Sequence, residues 1–213
     1  MRLLAAHLND AGIVVVDGDR ILYREPGVAL LDDDRLLTGN AAHASAKLQP
    51  RRIHHRFWSD LRTEPLPDNR FRHLSAADLV SNQLEHMWTS VASEGDSLAL
   101  AVPPYMSNDN LGLLLGIAAE LQIPIVAMCD AAVSATRRHY EHAVPVHIDV
   151  SLHSSMLTRL MQEGHARFER TAVIEDNGLH LLYDTWIKII AEAFVQQSRF
   201  DPLHTAETEQ MLQ

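Results

Sequence analysis

The sequence predicts an α/β fold, and three observations carry that prediction. Leu98 to Val102 is a short, continuous apolar run, the pattern of a strand covered on both faces. A predicted helix from Ser107 to Leu121 and a second short strand from Ile123 to Ala127 follow it, giving strand–helix–strand order. Near the N-terminus, Gly12-Ile13-Val14-Val15-Val16 and Arg20-Ile21-Leu22-Tyr23-Arg24 flank Asp17-Gly18-Asp19, two β-rich runs around an Asp-Gly turn that read as a hairpin.

The remaining elements follow in order. Leu3-Leu4-Ala5-Ala6 supplies a strand before the hairpin. The alanine-rich stretch Ala41 to Leu48, after Gly39-Asn40, suits a short helix that stops at Pro50, because proline lacks the amide a helix interior requires. Arg62 to Arg70 holds Pro65 and Pro67 with little apolar content and reads as a loop or subdomain boundary. Ser75 caps a helix running to about Ser93, with Asp78 completing a capping box and Leu79, Leu84, Met87, Trp88 and Val91 near a 3.6-residue period. Beyond the second short strand, a helix is expected from Asp130 to about Tyr140.

The second half changes character. Pro145 to Val150, Met156 to Met161 and Arg167 to Ile174 read as three strands joined by Gly164 and ended by Asp176-Asn177-Gly178, an antiparallel meander. A long helix from Leu179 to about Gln197 places Leu182, Trp186, Ile189, Ile190, Ala193 and Phe194 on one face, and a last helix begins near Thr205. The only internal similarity lies between residues 1–127 and 145–213.

Composition narrows the function classes. The 213 residues, 46% hydrophobic and 22% charged, describe a globular chain long enough for a real core, with no apolar run of the roughly 20 residues a membrane helix needs. The start, Met1-Arg2-Leu3-Leu4-Ala5-Ala6-His7, is too soon polar for a signal peptide, so the expected location is the cytoplasm. The net charge of −10 opposes a nucleic-acid partner by repelling phosphates. The basic cluster Arg51, Arg52, His54, His55 and Arg56 reads as a solvated loop beside Asp32-Asp33-Asp34 or as an anion contact. The single cysteine, Cys129, excludes an internal disulfide and reads as a small buried apolar residue. Thirteen histidines show no His-Glu-x-x-His spacing, and no metal site is expected.

At this point the order of elements resembles the nucleotide-binding domain of the seventy-kilodalton heat-shock chaperones, within the actin and sugar-kinase ATPase superfamily. Thr38-Gly39-Asn40-Ala41-Ala42 with a downstream Pro50 resembles that family's Val-Gly-x-x-Ala segment, and Val102-Pro103-Pro104-Tyr105-Met106 resembles its Val-Pro-Ala-Tyr-Phe turn. Cys129-Asp130-Ala131-Ala132-Val133-Ser134-Ala135 stands where the family has Asn-Glu-Pro-Thr-Ala-Ala-Ala. Asp149 to Ser155 stands where it has Asp-Leu-Gly-Gly-Gly-Thr-Phe, and Asp176 through Phe194 resembles Gly-Asp-Thr-His-Leu-Gly-Gly with its long helix. The resemblance implies a ribonuclease-H-like ATPase fold, incomplete in its second lobe. Residues 1–143 would form the first lobe, with an inserted subdomain at about 36–95, and 144–213 the beginning of the second.

The resemblance also implies site residues, because phosphoryl transfer in such a site rests on positioning and charge stabilisation. The first phosphate loop becomes Ala5-Ala6-His7-Leu8-Asn9-Asp10, in which Asn9 and Asp10 form the turn and Asp10 repels phosphate unless a cation intervenes. The second keeps Asp149 but carries Ser151, Leu152 and His153, followed by Ser154, where glycines would let backbone amides approach phosphate. Asp130 replaces a glutamate and reads either as a ligand for hydrated Mg²⁺ or as a helix N-cap. Asp149 is a cation acid or a strand-end turn acid, and Arg56 falls near the position of the family's phosphate-facing lysine.

Three functions are therefore expected as alternatives. One is a chaperone-like, degenerate ATPase domain acting as a binding or regulatory module for protein partners or clients. The second is an active Mg-dependent ATPase, with ATP and Mg²⁺ as cofactors. The third is an actin-like assembly or scaffold protein contacting partners through Phe57, Trp58 and Phe71, residues that would otherwise form a satellite core.

Overall fold

The computed structural model describes residues 2–32 and 35–212 and has an α/β architecture with a mixed five-stranded sheet and two small three-stranded sheets. Strands β1 (Leu3–His7), β2 (Ile13–Asp17) and β3 (Arg20–Glu25) form an antiparallel meander. Their alternation points Leu4, Ala6, Ile13 and Val15 into the core. Gly18 takes the expected turn between β2 and β3 at φ +56°, a conformation open to glycine at little cost.

The short strands β4 (Ala29–Asp32) and β5 (Arg35–Thr38) then pair with each other. Helix α1 (Gly39–His43) follows, and after a single 3₁₀ turn at Pro50–Arg52 the two-residue β6 (Ile53–His54) completes a sheet of order β5-β4-β6. No periodic signal announced this sheet, because strands of two to four residues carry too few alternations. Helix α1 starts two residues before the expected Ala41 and ends well short of Leu48. Part of the acidic run expected beside the basic cluster, Asp33 and Asp34, lies outside the described residues, while Arg52 is paired with Asp32.

Helix α2 (Ala76–Val91) carries the expected capping box, with the Ser75 hydroxyl accepting from the Asp78 amide and the Asp78 carboxylate accepting from the Ser75 amide at 2.7 Å. It buries Leu79, Leu84 and Met87. Strand β7 (Ser97–Val102) runs parallel to β1, and after helix α3 (Asn108–Glu120) strand β8 (Ile125–Asp130) runs parallel to β7, completing the order β3-β2-β1-β7-β8. Arg2 ties the starts of β1 and β7 together. Its backbone amide and guanidinium both donate to Asp96, at 2.8, 3.0 and 2.6 Å.

Three expectations fail here, each for a packing reason. Phe57, Trp58 and Phe71 are 3%, 1% and 3% exposed and belong to the main core, so they are not a contact surface. The Trp58 indole is satisfied inside that core by Gln83 Oε1 at 2.7 Å, and Gln83 in turn donates to the Pro26 carbonyl. Cys129 is exposed, because β8 is the edge strand of the sheet. Helix α4 (Ala131–Ala135) ends five residues before Tyr140. The hydroxyls of Ser134 and Thr136 bond back to the Ala131 and Ala132 carbonyls, and Gln162 binds the backbone of Arg138 and Tyr140.

The C-terminal meander is as expected: β9 (Val146–Val150), β10 (Ser154–Glu163) and β11 (His165–Glu175) pair antiparallel in the order β11-β10-β9, with Gly164 at φ +84° between the last two. It repeats the topology of β1 to β3, and among the described residues no further strand pairs with its β9 edge as β7 does with β1. Helices α5 (Leu179–Ser198) and α6 (Ala206–Leu212) follow. Among the described residues, no helix is long and apolar enough to cross a membrane.

Candidate functional site

Three parallel strands end on one side of the large sheet, and the site lies where those ends meet the β9–β10 turn. In open α/β sheets this carboxyl-end crevice is where ligands bind. β1 leads into Asn9 and Asp10, β7 into Pro103-Pro104-Tyr105, and β8 into Asp130. The two expected phosphate loops touch directly. Asn9 Nδ2 donates to Asp149 Oδ1 at 2.6 Å and to the Val150 carbonyl at 3.1 Å, and the Leu152 amide donates to Asp10 Oδ1 at 2.7 Å.

Five backbone amides in these loops, that of Leu152 included, are turned to internal use. Those of Ala11 and Gly12 bond to the side chain and carbonyl of Asn9. That of Ser151 bonds to the Ser154 carbonyl, and that of Ser154 to the Ser151 hydroxyl. The Leu152 side chain, 8% exposed, packs with Val28, Leu30 and Ala42. On the other side of the turn, the amides of Leu179 and His180 in the first turn of α5 donate to the Ser151 and Leu152 carbonyls, each at 2.9 Å. That approach requires Gly178, where a Cβ would lie 2.5 Å from the Leu152 carbonyl.

Beneath the turn is a buried acid pair. Burial pushes the Asp10 carboxyl up to about 6, with the nearby Asp149 charge adding to the rise against the bonds from the Leu152 and Ala11 amides. Burial acts on Asp149 in the same direction, but His7, with its Nε2 3.7 Å from Asp149 Oδ2, and the bond from Asn9 outweigh it and hold that carboxyl below its ordinary value. The Tyr105 phenol is driven far up by burial and by the two carboxylates. Asp10 Oδ2, Asp149 Oδ2 and the Tyr105 hydroxyl are buried without a hydrogen-bond partner within the protein.

Above the turn is a 430 Å³ cavity bounded by Val28, Lys47, Ile53, Leu152 and Ile187, a volume within the range of small-molecule pockets. His55, His153 and His180 meet on its wall, with ring centroids 4.7, 5.2 and 5.5 Å apart. His153 Nε2 lies 2.8 Å from His55 Nδ1 and 3.0 Å from the His55 carbonyl. Burial, and then neighbouring positive charge, pull His55 and His153 down to about 4, so both imidazoles are neutral at pH 7. Lys47 is engaged by Glu209 at 3.0 Å and lies 3.8 Å from Asp184. Among the described residues, no group of three or more His, Cys, Asp or Glu side chains is arranged to hold a metal ion.

Asn9, Asp10, Asp149, Ser151, His153 and Ser154 are thus brought together, and two other candidates are not part of that network. Asp130 accepts from the Ala132 and Val133 amides at 2.7 and 3.3 Å, the bonds of an N-cap on α4. Arg56 donates to Asp176 at 2.9 Å in an exposed ion pair just before α5. His7, Tyr105 and the meeting of His55 with His180 went unread, since each depends on contacts between distant segments.

No protein-family model matches this chain, and a search of curated proteins gives no match. The site therefore has to be read from its own chemistry. For ATP with Mg²⁺, the cofactor implied by the resemblance, the amides of Ala11, Gly12, Ser151, Leu152 and Ser154 are already donated within the protein, and the Asp10 carboxylate holds that of Leu152.

Proposed function

We propose that this chain is a chaperone-like, degenerate ATPase domain of the ribonuclease-H-like kind, serving in the cytoplasm as a binding or regulatory module without efficient ATP hydrolysis. The sheet order β3-β2-β1-β7-β8 and the repeated meander support the architecture. One observation carries the functional reading: the Leu152 amide is donated to the Asp10 carboxylate at 2.7 Å, with the Leu152 side chain packed in the interior. A phosphate would have to displace a carboxylate from that amide and meet its repulsion. Binding falls instead to the cavity above the turn, where Val28, Ile53, Leu152 and Ile187 stand beside the neutral His55 and His153 and the Lys47–Asp184 pair.

Titration with Mg-ATP while following the melting temperature tests this. No shift at millimolar nucleotide is expected. Ligand at 100 times its Kd stabilises a fold by roughly 2.7 kcal/mol, so a saturable rise of that order would overturn the proposal. An active Mg-dependent ATPase is the second reading, favoured by the unpartnered Asp10 Oδ2 and Asp149 Oδ2, between which a divalent cation would be required. In that reading Asp149→Ala abolishes turnover; in the first there is no turnover to lose.

A further inference from the structure

Helix α5 is amphipathic in an unusual direction. Its buried side chains, Ile187 and Ala191, lie one turn apart, and Ile187 closes the cavity. The wider apolar stripe faces outward: Leu182, Tyr183, Trp186, Ile189, Ile190 and Phe194 follow helical spacing and are 41%, 41%, 52%, 57%, 41% and 45% exposed. A second uncovered apolar surface lies on the C-terminal meander. Val146, Ile148 and Ile174 share one face of that sheet, as the pairings of Ile148 with Leu157, Val150 with Ser155 and Ser155 with Ile174 require. They are 55%, 65% and 45% exposed, while the opposite face buries Met156 and Thr158.

We infer that a second copy of this chain covers both surfaces, in a two-fold dimer in which α5 of each copy lies on the β9–β11 sheet of the other. An apolar helix stripe and an apolar sheet face are the two halves of a standard packed layer, and each copy offers one of each. A two-fold axis satisfies both at once, because an isologous contact joins two different patches reciprocally. At roughly 80–110 Å² for each half-exposed large side chain, these nine residues supply about 800 Å² per copy, the size of a standard stable interface.

Charge points the same way. The chain carries −10 overall, so two copies repel except where a surface is uncharged, and the α5 stripe holds no ionisable group other than the Tyr183 phenol. Beside the stripe stands the exposed Glu192, and the sheet face carries, in the row of Val146, Arg159, paired with Glu169 at 2.9 Å, and the exposed Arg170, opposite in sign to Glu192.

Light scattering coupled to size exclusion across the micromolar range tests the inference. The unaltered chain should run at twice its 23.9 kDa mass. Trp186→Glu on the helix and Ile148→Lys on the sheet should each give a monomer with unchanged circular dichroism and a Tm that no longer rises with concentration, whereas Val126→Lys, on the exposed β8 edge, should leave the dimer intact. A monomer at every concentration overturns the inference, including one that gains a cover only when a different protein is added. A dimer that survives both Trp186→Glu and Ile148→Lys overturns it as well, as does open-ended growth with concentration.

Discussion

Replacing Asp10 by asparagine should make the protein more stable, and the size of the gain follows from the site. The carboxyl of Asp10 titrates at about 6 in the fold against 3.8 in the open chain, chiefly because it is buried. A raised carboxyl pKa means that the folded state holds the proton more tightly than the unfolded one, so ionisation destabilises the fold. The penalty is small below pH 4, grows as pH rises through the interval between the two values, and is complete above about 6. At 1.36 kcal/mol per unit it reaches about 3 kcal/mol at pH 8 and roughly half that at pH 5. The side chain of the Asp10→Asn variant keeps an oxygen for the Leu152 amide and puts an amide nitrogen where Oδ2 has no partner, within reach of the Asp149 charge. Urea denaturation of both proteins at pH 8, 5 and 4 reads the difference directly, and in heat it corresponds to a rise in Tm of about 6–12 °C at the alkaline end. A destabilised Asp10→Asn at pH 8, or a gain that does not shrink toward pH 4, would refute the reasoning.

Three further outcomes follow from the same geometry. Gly178→Ala should cost about 1–3 kcal/mol, because its Cβ meets the backbone of Leu152 and His153 at 2.5 Å, and it should loosen hydrogen-exchange protection at Leu179 and His180; an unchanged Tm would count against the close approach. His55 and His153 are held down to about 4 from 6.5, so the unfolded chain takes up their protons first. Their contribution to stability is full above pH 6.5 and is lost as pH falls toward 4. His55→Gln should flatten the Tm profile between those values, and an unaltered profile would exclude the cluster as its cause. Ser75→Ala should cost about 1 kcal/mol by removing the cap from α2, measured by chemical denaturation.

Elements with a full local signal were legible in the sequence: the β2–β3 hairpin around Gly18, the capped α2, the apolar β7 and the last meander all lie close to where pattern and turn chemistry put them. What escaped was decided by distant partners. The hydroxyls of Ser134 and Thr136 look harmless in a helix until Gln162 is found binding the next residues, and α4 stops early. Cys129 sits in an apolar run, and only the sheet order reveals that β8 lies at the edge of the sheet among the described residues. At the site, Asn9, Asp10 and Asp149 could each be singled out from the sequence. The pairing of Asp10 with the Leu152 amide could not, because it joins residues 142 positions apart.

That pairing also fixes what Leu152 does in the β9–β10 turn, which is more than fill space. Here the β9–β10 turn is engaged on both sides: its Leu152 amide serves Asp10, while its Ser151 and Leu152 carbonyls accept from the first two amides of α5. The Ser151 hydroxyl, bonded to the Ser154 amide and carbonyl, holds the turn closed without a glycine. Leu152→Gly alone therefore leaves Asp10 in place on the amide, and Asp10→Asn alone leaves Leu152 in the apolar cluster with Val28, Leu30 and Ala42. The turn is a docking element for α5 and the β1–β2 loop, and the energy that would bind an anion in an open loop is spent within the protein holding the two halves of the site together.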